Sequence, residues 1–418
     1  MNLKILLIGS GGREHCIAKK LKENKRVKKI FCAPGNGGTA LEDKCENINF
    51  LVSDIEGLLN FAKENNIDLT IVGPEDPLIN GISDRFTEEG LKIFGPKRFG
   101  AMLEGSKCFS KDFMKKYGVK TAKYENFTEY DKALEYLKEQ EFPIVIKADG
   151  LALGKGVYIC KNLEQGEEAL KDIMVNDIFK GAGSSIVIEE FLDGVEASIL
   201  SVTDGKTIKP FISAKDHKQV FDGGKGPNTG GMGVLAPNPY VTEDVLKEFK
   251  ETIMNKTLLG IQEEGFDFKG VIFFGIMITK KGTYLLEYNV RFGDPETQSV
   301  LPLMENDFLE LLESTLDGSL SDFNLSWKNG YVCNVVLASK GYPGVYEKGY
   351  EITINSNVKD KVIIAGATLK DNVLVTSGGR VLSLLGYGLN RYEAIKNAYD
   401  ILDKVNFSGK YCRLDIGK

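Results

Sequence analysis

The sequence predicts a multidomain chain of mixed α/β and α+β class. An open parallel sheet comes first, a two-part α+β centre follows, and a small mixed-β unit closes the chain. Three observations carry this reading. Short unbroken apolar runs alternate with helix-periodic segments in the first part, glycine and proline punctuate the ends of those runs, and the last part is dense in strand-like runs.

In the first unit, residues 1–105, the apolar runs are Leu3–Ile8, Ile30–Ala33, Leu69–Val72 and Ile93–Phe94, with helix-periodic stretches such as Ile55–Glu64 between them. Unbroken apolar strands separated by helices imply a parallel sheet covered on both faces. Punctuation follows at Gly9–Gly12, Pro34-Gly35-Asn36, Gly73-Pro74-Glu75 and Gly95-Pro96. Loops at the carboxyl ends of parallel strands build the ligand crevice of such sheets.

The centre spans residues 106–327. A helix near Ser106–Tyr117 leads into a unit at 121–192, with strands at Phe142–Ala148, Val157–Cys160 and Ile186–Glu190. A second part, 193–327, has strands near Ala197–Val202, Val271–Thr279 and Thr283–Tyr288, and helices near Glu243–Glu264 and Pro302–Leu316. Within it Lys215–Gly233 reads as a long Gly-rich loop without regular structure, of the kind that is functional or disordered. The last unit, 328–418, has strand-like runs at Val332–Ala338, Val362–Ala367, Val373–Thr376 and Arg380–Leu385 before a helix near Tyr392–Val405.

A length of 418 residues fits about three domains at roughly 150 residues each. The net charge of −6, with both signs interspersed, argues against a nucleic-acid or anionic-membrane partner. No apolar run approaches the roughly 20 residues of a bilayer span. The seven cysteines show no metal spacing and read as reduced thiols of a soluble cytoplasmic protein.

Four segments carry chemistry. Gly9-Ser10-Gly11-Gly12-Arg13-Glu14-His15 leaves a strand and opens a helix, a turn whose N–H groups and helix dipole suit a phosphate. A plain tight turn is the alternative, and the dinucleotide fingerprint fails because Glu14 stands where its last glycine belongs. Ile144–Val157 ends a strand in Lys147 and continues through Gly150, Gly154, Lys155 and Gly156, a phosphate cover or else a simple hairpin. Ile186–Glu196 ends a strand in carboxylates, Glu189 among them. In Leu285–Gln298, strand alternation puts Glu287, Asn289 and Arg291 on one face and Tyr288 and Val290 on the other. The first face offers two oxygen ligands suited to Mg²⁺ and a cation beside them, a Glu287–Arg291 ion pair being the alternative. His15 and His217, the only histidines, have no partner that would make them bases and read as packing or hydrogen-bonding residues.

Taken in order, a strand lysine with a glycine flap, Glu189-Glu190-Phe191-Leu192, and Glu287-x-Asn289-x-Arg291 resemble the ATP-grasp superfamily. Gly9–His15, Asp216-His217-Lys218, Gly226–Gly233 and Arg291-Phe292-Gly293-Asp294-Pro295-Glu296-Thr297-Gln298 resemble its glycinamide ribonucleotide synthetase (phosphoribosylamine–glycine ligase) family. The likeness continues through Leu103–Lys107, Gly341–Gly344 and Gly378–Val381, and covers essentially the whole chain.

The resemblance implies a Rossmann-like N-terminal domain, a two-part ATP-grasp core whose 121–192 unit is a mobile lid, and ATP with Mg²⁺ or Mn²⁺ as cofactors. It implies that Lys107, Lys147 and Gly150–Gly156 hold ATP phosphates, that Glu189 and Leu192 meet the adenine, and that Glu196 meets the ribose. Glu287 and Asn289 would bind the metal, and Arg291 and Asp294 would position glycine. Gly9, Gly11, Gly12, Arg13, Glu14, Asn36, Gly73, Pro74, Glu75, Asp216, Asn228, Thr229, Gly230 and Gly231 would surround 5-phosphoribosylamine.

Many ATP-grasp enzymes carry a further acidic ligand one strand earlier, where this chain has Phe273-Phe274-Gly275-Ile276. The implied reaction forms glycinamide ribonucleotide through glycyl phosphate, as the second step of purine biosynthesis, with glycine and phosphoribosylamine as the partners and a monomer as the simplest assembly. The end at Lys418 resembles the free-standing bacterial form. The competing readings are an ATP-grasp ligase or carboxylase with another acceptor, and a nucleotide-binding relative without catalysis.

Overall fold

The computed structural model describes residues 2–151, 156–179 and 181–418. Strands Leu3–Gly9, Val27–Pro34, Cys45–Asn47, Leu69–Val72 and Ile93–Phe94 form an all-parallel sheet. In chain order its strands lie 3-2-1-4-5 across the sheet. Ile5–Ile8 are fully buried, because helices cover both faces. The direction of winding reverses between the first and fourth strands, so the turns after Gly9 and Val72 open on a shared crevice.

Strands Tyr124–Phe127, Ile186–Glu190, Ile144–Ala148 and Val157–Cys160 make a four-stranded antiparallel sheet. Its core of Ala133, Leu137, Ile144, Ile146, Ile186 and Ile188 is separate from the others. A second antiparallel sheet runs Ile208–Pro210, Val195–Thr203, Gly270–Thr279, Gly282–Asn289. A backbone bridge from Thr121 to Leu285 joins the two regions.

The Lys215–Gly233 stretch departs from the loop expected there. Lys215–Asp216 and Gly233–Ala236 pair with each other, and Gly233–Ala236 pairs with Tyr331–Ser339, so the segment enters the six-stranded C-terminal sheet. Between them Gln219–Phe221 and Lys225–Asn228 form a two-stranded hairpin. The sheet continues through Arg380–Gly388 to Val362–Ile364, and Lys410–Tyr411 also pairs with Tyr331–Ser339. The helix expected from Pro302 starts instead at Phe308, where the Asp307 carboxylate caps the Glu310 N–H at 3.2 Å. Among the described residues no helix is long and apolar enough to cross a membrane.

Candidate active site

The N-cap Ser106 starts the helix Lys107–Tyr117, accepting the Phe109 N–H at 3.0 Å. Lys107 therefore points from the first turn, and its Nζ donates to the carbonyls of Gly150 (3.0 Å) and Asp149 (3.4 Å). The Asp149 carboxylate accepts from Ser106 Oγ (2.8 Å), Cys108 N (2.7 Å) and Ser185 Oγ (2.8 Å), which fixes the start of the Gly150 loop against that helix. Gly150 N donates to Ala182 O at 3.1 Å, and Gly156 O accepts from Ala148 N at 2.8 Å. Gly154 and Lys155 lie outside the described residues.

Lys147, at the end of its strand, pairs with Glu189 on the neighbouring strand. Lys111 reaches the other Glu189 oxygen at 2.5 Å and also Thr121 Oγ1 at 2.8 Å. Burial lowers the Lys107 and Lys111 ammonium groups, and it would raise Glu189, but Lys147 and Lys111 hold that carboxyl below its usual range. Glu189 is thus committed to two lysines. Lys111 escaped the sequence reading although it stands four residues after Lys107, the spacing that shares a helix face. Leu192 lies half-buried just past this strand, and Glu196 pairs with Lys218 at 3.0 Å.

On the adjoining sheet Glu287 stands opposite Gly275 and Asn289 opposite Phe273. Tyr288 and Val290 turn into the core at 2% and 1% exposure, so the expected alternation holds. Arg291 Nη2 donates to Asn289 Oδ1 at 3.0 Å. Its ion-pair partners are Glu75 (3.1 Å) and Glu104 (3.1 Å), in place of the Glu287 pairing weighed from the sequence. Glu104 also accepts the Val290 N–H at 2.7 Å, and burial pushes its pKa up to about 7 against the pull of Arg291. Burial would raise Glu287 too, but Lys218, Lys147, Lys107 and Arg291 around it keep its carboxyl below the ordinary value. An ionised glutamate beside an amide oxygen is a hard donor pair that fits a divalent cation. Among the described residues no group of three or more histidine, cysteine or carboxylate ligands exists.

The third region lies at the switch point of the parallel sheet. Glu14 is fully buried, and accepts from Gly11 N and from Arg13 Nε, each at 2.5 Å. Arg13 N donates to Asp294 at 3.2 Å, and Arg13 Nη1 to Phe292 O at 3.0 Å. Two N–H groups of the glycine turn are therefore directed at carboxylates, which departs from the open phosphate cradle the turn suggests. For Arg13 N the reason is tertiary, since Asp294 arrives from 281 residues away, whereas Gly11 N meets a local partner, Glu14, three residues on.

Asp294 is held low against burial by Arg380 and Arg13, and it also accepts from Gln298 Nε2 at 2.9 Å. Arg380 bonds Asp294 Oδ1 (3.2 Å), its carbonyl (2.8 Å) and the carbonyl of Gly230. Glu75, the first residue of a short helix that follows Gly73-Pro74, contributes through Arg291. Asn36 donates to the Ser10, Gly11 and Ile364 carbonyls and accepts from Gly38 and Thr39, so its side chain ties the glycine turn to the turn after Pro34. Half-buried Asp216 abuts Gly231, and its buried Oδ1 has no partner among the described residues. Burial and then Glu296 push its carboxyl well above the usual range.

Sequence models of phosphoribosylglycinamide synthetase match almost end to end: the N domain at residues 3–104, the ATP-grasp (A) domain at 105–297 and the C domain at 332–418. The chain belongs to the phosphoribosylglycinamide synthetase family. Among members of that family, a protein named phosphoribosylamine–glycine ligase from Clostridium acetobutylicum is 61% identical over 416 residues, covering 100% of both chains. The crystal structure of phosphoribosylamine–glycine ligase from Thermotoga maritima superposes with a TM-score of 0.88 at 36% identity, over 99% of this chain and 100% of that one. The biotin carboxylase domain of a Hydrogenobacter thermophilus 2-oxoglutarate carboxylase, solved with MgADP, shares the fold at a TM-score of 0.74 and 17% identity, over 98% and 91% of the two chains. The chain thus has the ATP-grasp architecture expected from its motifs.

Proposed function

We propose that this enzyme joins glycine to 5-phosphoribosylamine with ATP, forming glycinamide ribonucleotide, ADP and phosphate in purine biosynthesis. The observation that carries the reading is the Glu287–Asn289–Arg291 edge. It runs from half-buried Lys107 and buried Lys147 to the junction of Glu75, Asp294 and the Gly9–Glu14 turn.

A glycine carboxylate is a poor electrophile, so it first takes the γ-phosphoryl group of ATP and releases ADP. The phosphoribosylamine nitrogen then attacks the acyl carbon of glycyl phosphate; the C–O bond to phosphate breaks and the nitrogen loses a proton. In this reading Lys107 and Lys147 hold the ATP phosphates, with Gly150 and Gly156 in the cover. Leu192 and the Glu189 strand flank the adenine, and Glu196 faces the ribose. Arg291 and Asp294 orient glycine, while Gly9–Glu14, Gly73–Glu75, Asp216 and Asn228–Gly231 surround the acceptor. Glu287 and Asn289 would hold Mg²⁺, with Mn²⁺ as substitute, and the ion would neutralise phosphate oxygens during transfer. A single chain supplies all these groups, and its seven unpaired cysteines suit a reducing cytoplasm.

Phosphate release that requires ATP, glycine and phosphoribosylamine together is the expected result. Release with bicarbonate in place of glycine would point to the carboxylases that share the fold.

Two predictions belong here. The separate core of the 121–192 region supports its closing over ATP as a unit. Amides around Gly150 and Gly156 should exchange more slowly with Mg·ATP present, and equal exchange would count against closure. Second, a Cβ at Gly11 would lie 2.8 Å from Asp294 Oδ2 and 2.9 Å from Glu14 Oε2. Gly11→Asp forces a third carboxylate onto those two and should raise the phosphoribosylamine KM by at least about tenfold, or roughly 1.4 kcal/mol. The ATP KM should stay within twofold; a change in ATP KM alone would reverse the pocket assignment.

A further inference from the structure

The hairpin Gln219–Asn228 is poorly supported by its own sheet. It has two strands with a register break between them, and residues 221–228 are exposed. Such a ribbon is marginal in water unless something else holds it. The acceptor-side loop nevertheless hangs from it. Thr229 N and Oγ1 donate to Lys218 O at 2.8 and 2.6 Å, and Gly231 N donates to Thr229 Oγ1 at 3.0 Å.

The support comes from residues about 190 positions later. Tyr411 OH donates to Val220 O (2.8 Å) and Arg413 Nη1 to Gln219 O (2.9 Å). Leu414 N donates to Asp222 Oδ1 (2.8 Å), and Gly223 N to Asp415 Oδ2 (2.8 Å). Arg413, only 4% exposed, is locked onto Asp415 by two bonds of 2.8 and 2.7 Å. At the base of the hairpin the His217 ring closes the set. Its Nδ1–H donates to Gly233 O at 3.1 Å, and its Nε2 accepts the Gly417 N–H at 3.2 Å. The bond to Nε2 requires the neutral ring, and burial pushes His217 down to about 4, so the ring keeps its acceptor at neutral pH. Fully buried Ile416 packs against Gly233, where an added Cβ would lie 2.7 Å from its Cγ2.

We infer that residues 411–417 form a strap that positions the Gln219–Asn228 hairpin and thereby holds the Asn228–Gly231 loop in its acceptor-binding geometry. The inference rests on the assignment of that loop to phosphoribosylamine. The strap residues are positioning groups and touch no reactant.

The test uses the full-length enzyme and the double variant Asp222→Ala/Tyr411→Phe. It removes two strap bonds, takes away one exposed carboxylate and one hydroxyl, and leaves no buried charge unpaired. With phosphoribosylamine formed in situ from ribose 5-phosphate and ammonia, the acceptor KM should rise about 3- to 10-fold while kcat and the ATP KM stay within about twofold. Amides of residues 219–229 should exchange roughly tenfold faster, those of the strand Tyr331–Ser339 at the wild-type rate. Asp222→Asn, which keeps the acceptor oxygen, should behave as wild type.

Asn228→Ala serves as the reference. If it raises the acceptor KM and the double variant does not, the strap is overturned and the loop assignment stands. If Asn228→Ala has no effect, the loop assignment fails and the strap with it. An equal rise of both KM values together with lower thermal stability would overturn positioning in favour of a merely structural tail.

Discussion

Arg291→Lys should give a folded enzyme that binds Mg·ATP nearly as well as wild type but releases phosphate with glycine about 10²-fold more slowly. The guanidinium meets Asn289, Glu75 and Glu104 through separate N–H groups, and an ammonium cannot reproduce that fork. Arg291→Ala should lose at least as much turnover and also stability, roughly 3–5 kcal/mol, because buried Glu104 and half-buried Glu75 would lose their shared cation. Steady-state kinetics, calorimetry with Mg·ATP and thermal melts of both variants check this. Near-normal turnover in the lysine variant would remove Arg291 from the reacting carboxylate.

The lysine cluster should respond in an order that simple ion-pair counting misses. Glu189→Gln leaves Lys111 and Lys147 buried with no counter-charge, so it should cost roughly 3–5 kcal/mol. Lys111→Met leaves Lys147 paired with Glu189 and should cost far less. On the Glu189→Gln background, Lys111→Met should restore more than about 1 kcal/mol, because residues sharing one network do not act additively. Unfolding of the four proteins in urea measures the cycle. Strict additivity would mean that Glu189 is not balancing the two charges.

The parallel sheet was legible because buried parallel strands leave unbroken apolar runs, as in Ile5–Ile8. The Glu287 edge was legible because alternation on one strand is a local rule, which Tyr288 and Val290 obey by facing the core. What escaped was set by distant partners. The Lys215–Gly233 segment reads as loop because what orders it is Tyr411, Arg413 and Asp415, far along the chain. The glycine turn reads as a phosphate cradle because Asp294, which takes the Arg13 N–H, is invisible to local pattern. Lys111 is a different case, since its spacing from Lys107 was there to be read.

The six-stranded sheet has a consequence for how this enzyme can be divided. Its strands Lys215–Asp216 and Gly233–Ala236 come from the middle of the chain, and Gly233–Ala236 lies beside Tyr331–Ser339, whose far neighbours come from the chain's end. The boundary drawn along the sequence between the ATP-grasp and C domains therefore passes through a common hydrogen-bonded ladder. A fragment cut there would expose an open strand edge on each piece. Grafting the ATP-grasp core of one relative onto the last domain of another would match halves of a single sheet. Any such graft has to keep the pairing of Gly233–Ala236 with Tyr331–Ser339 intact.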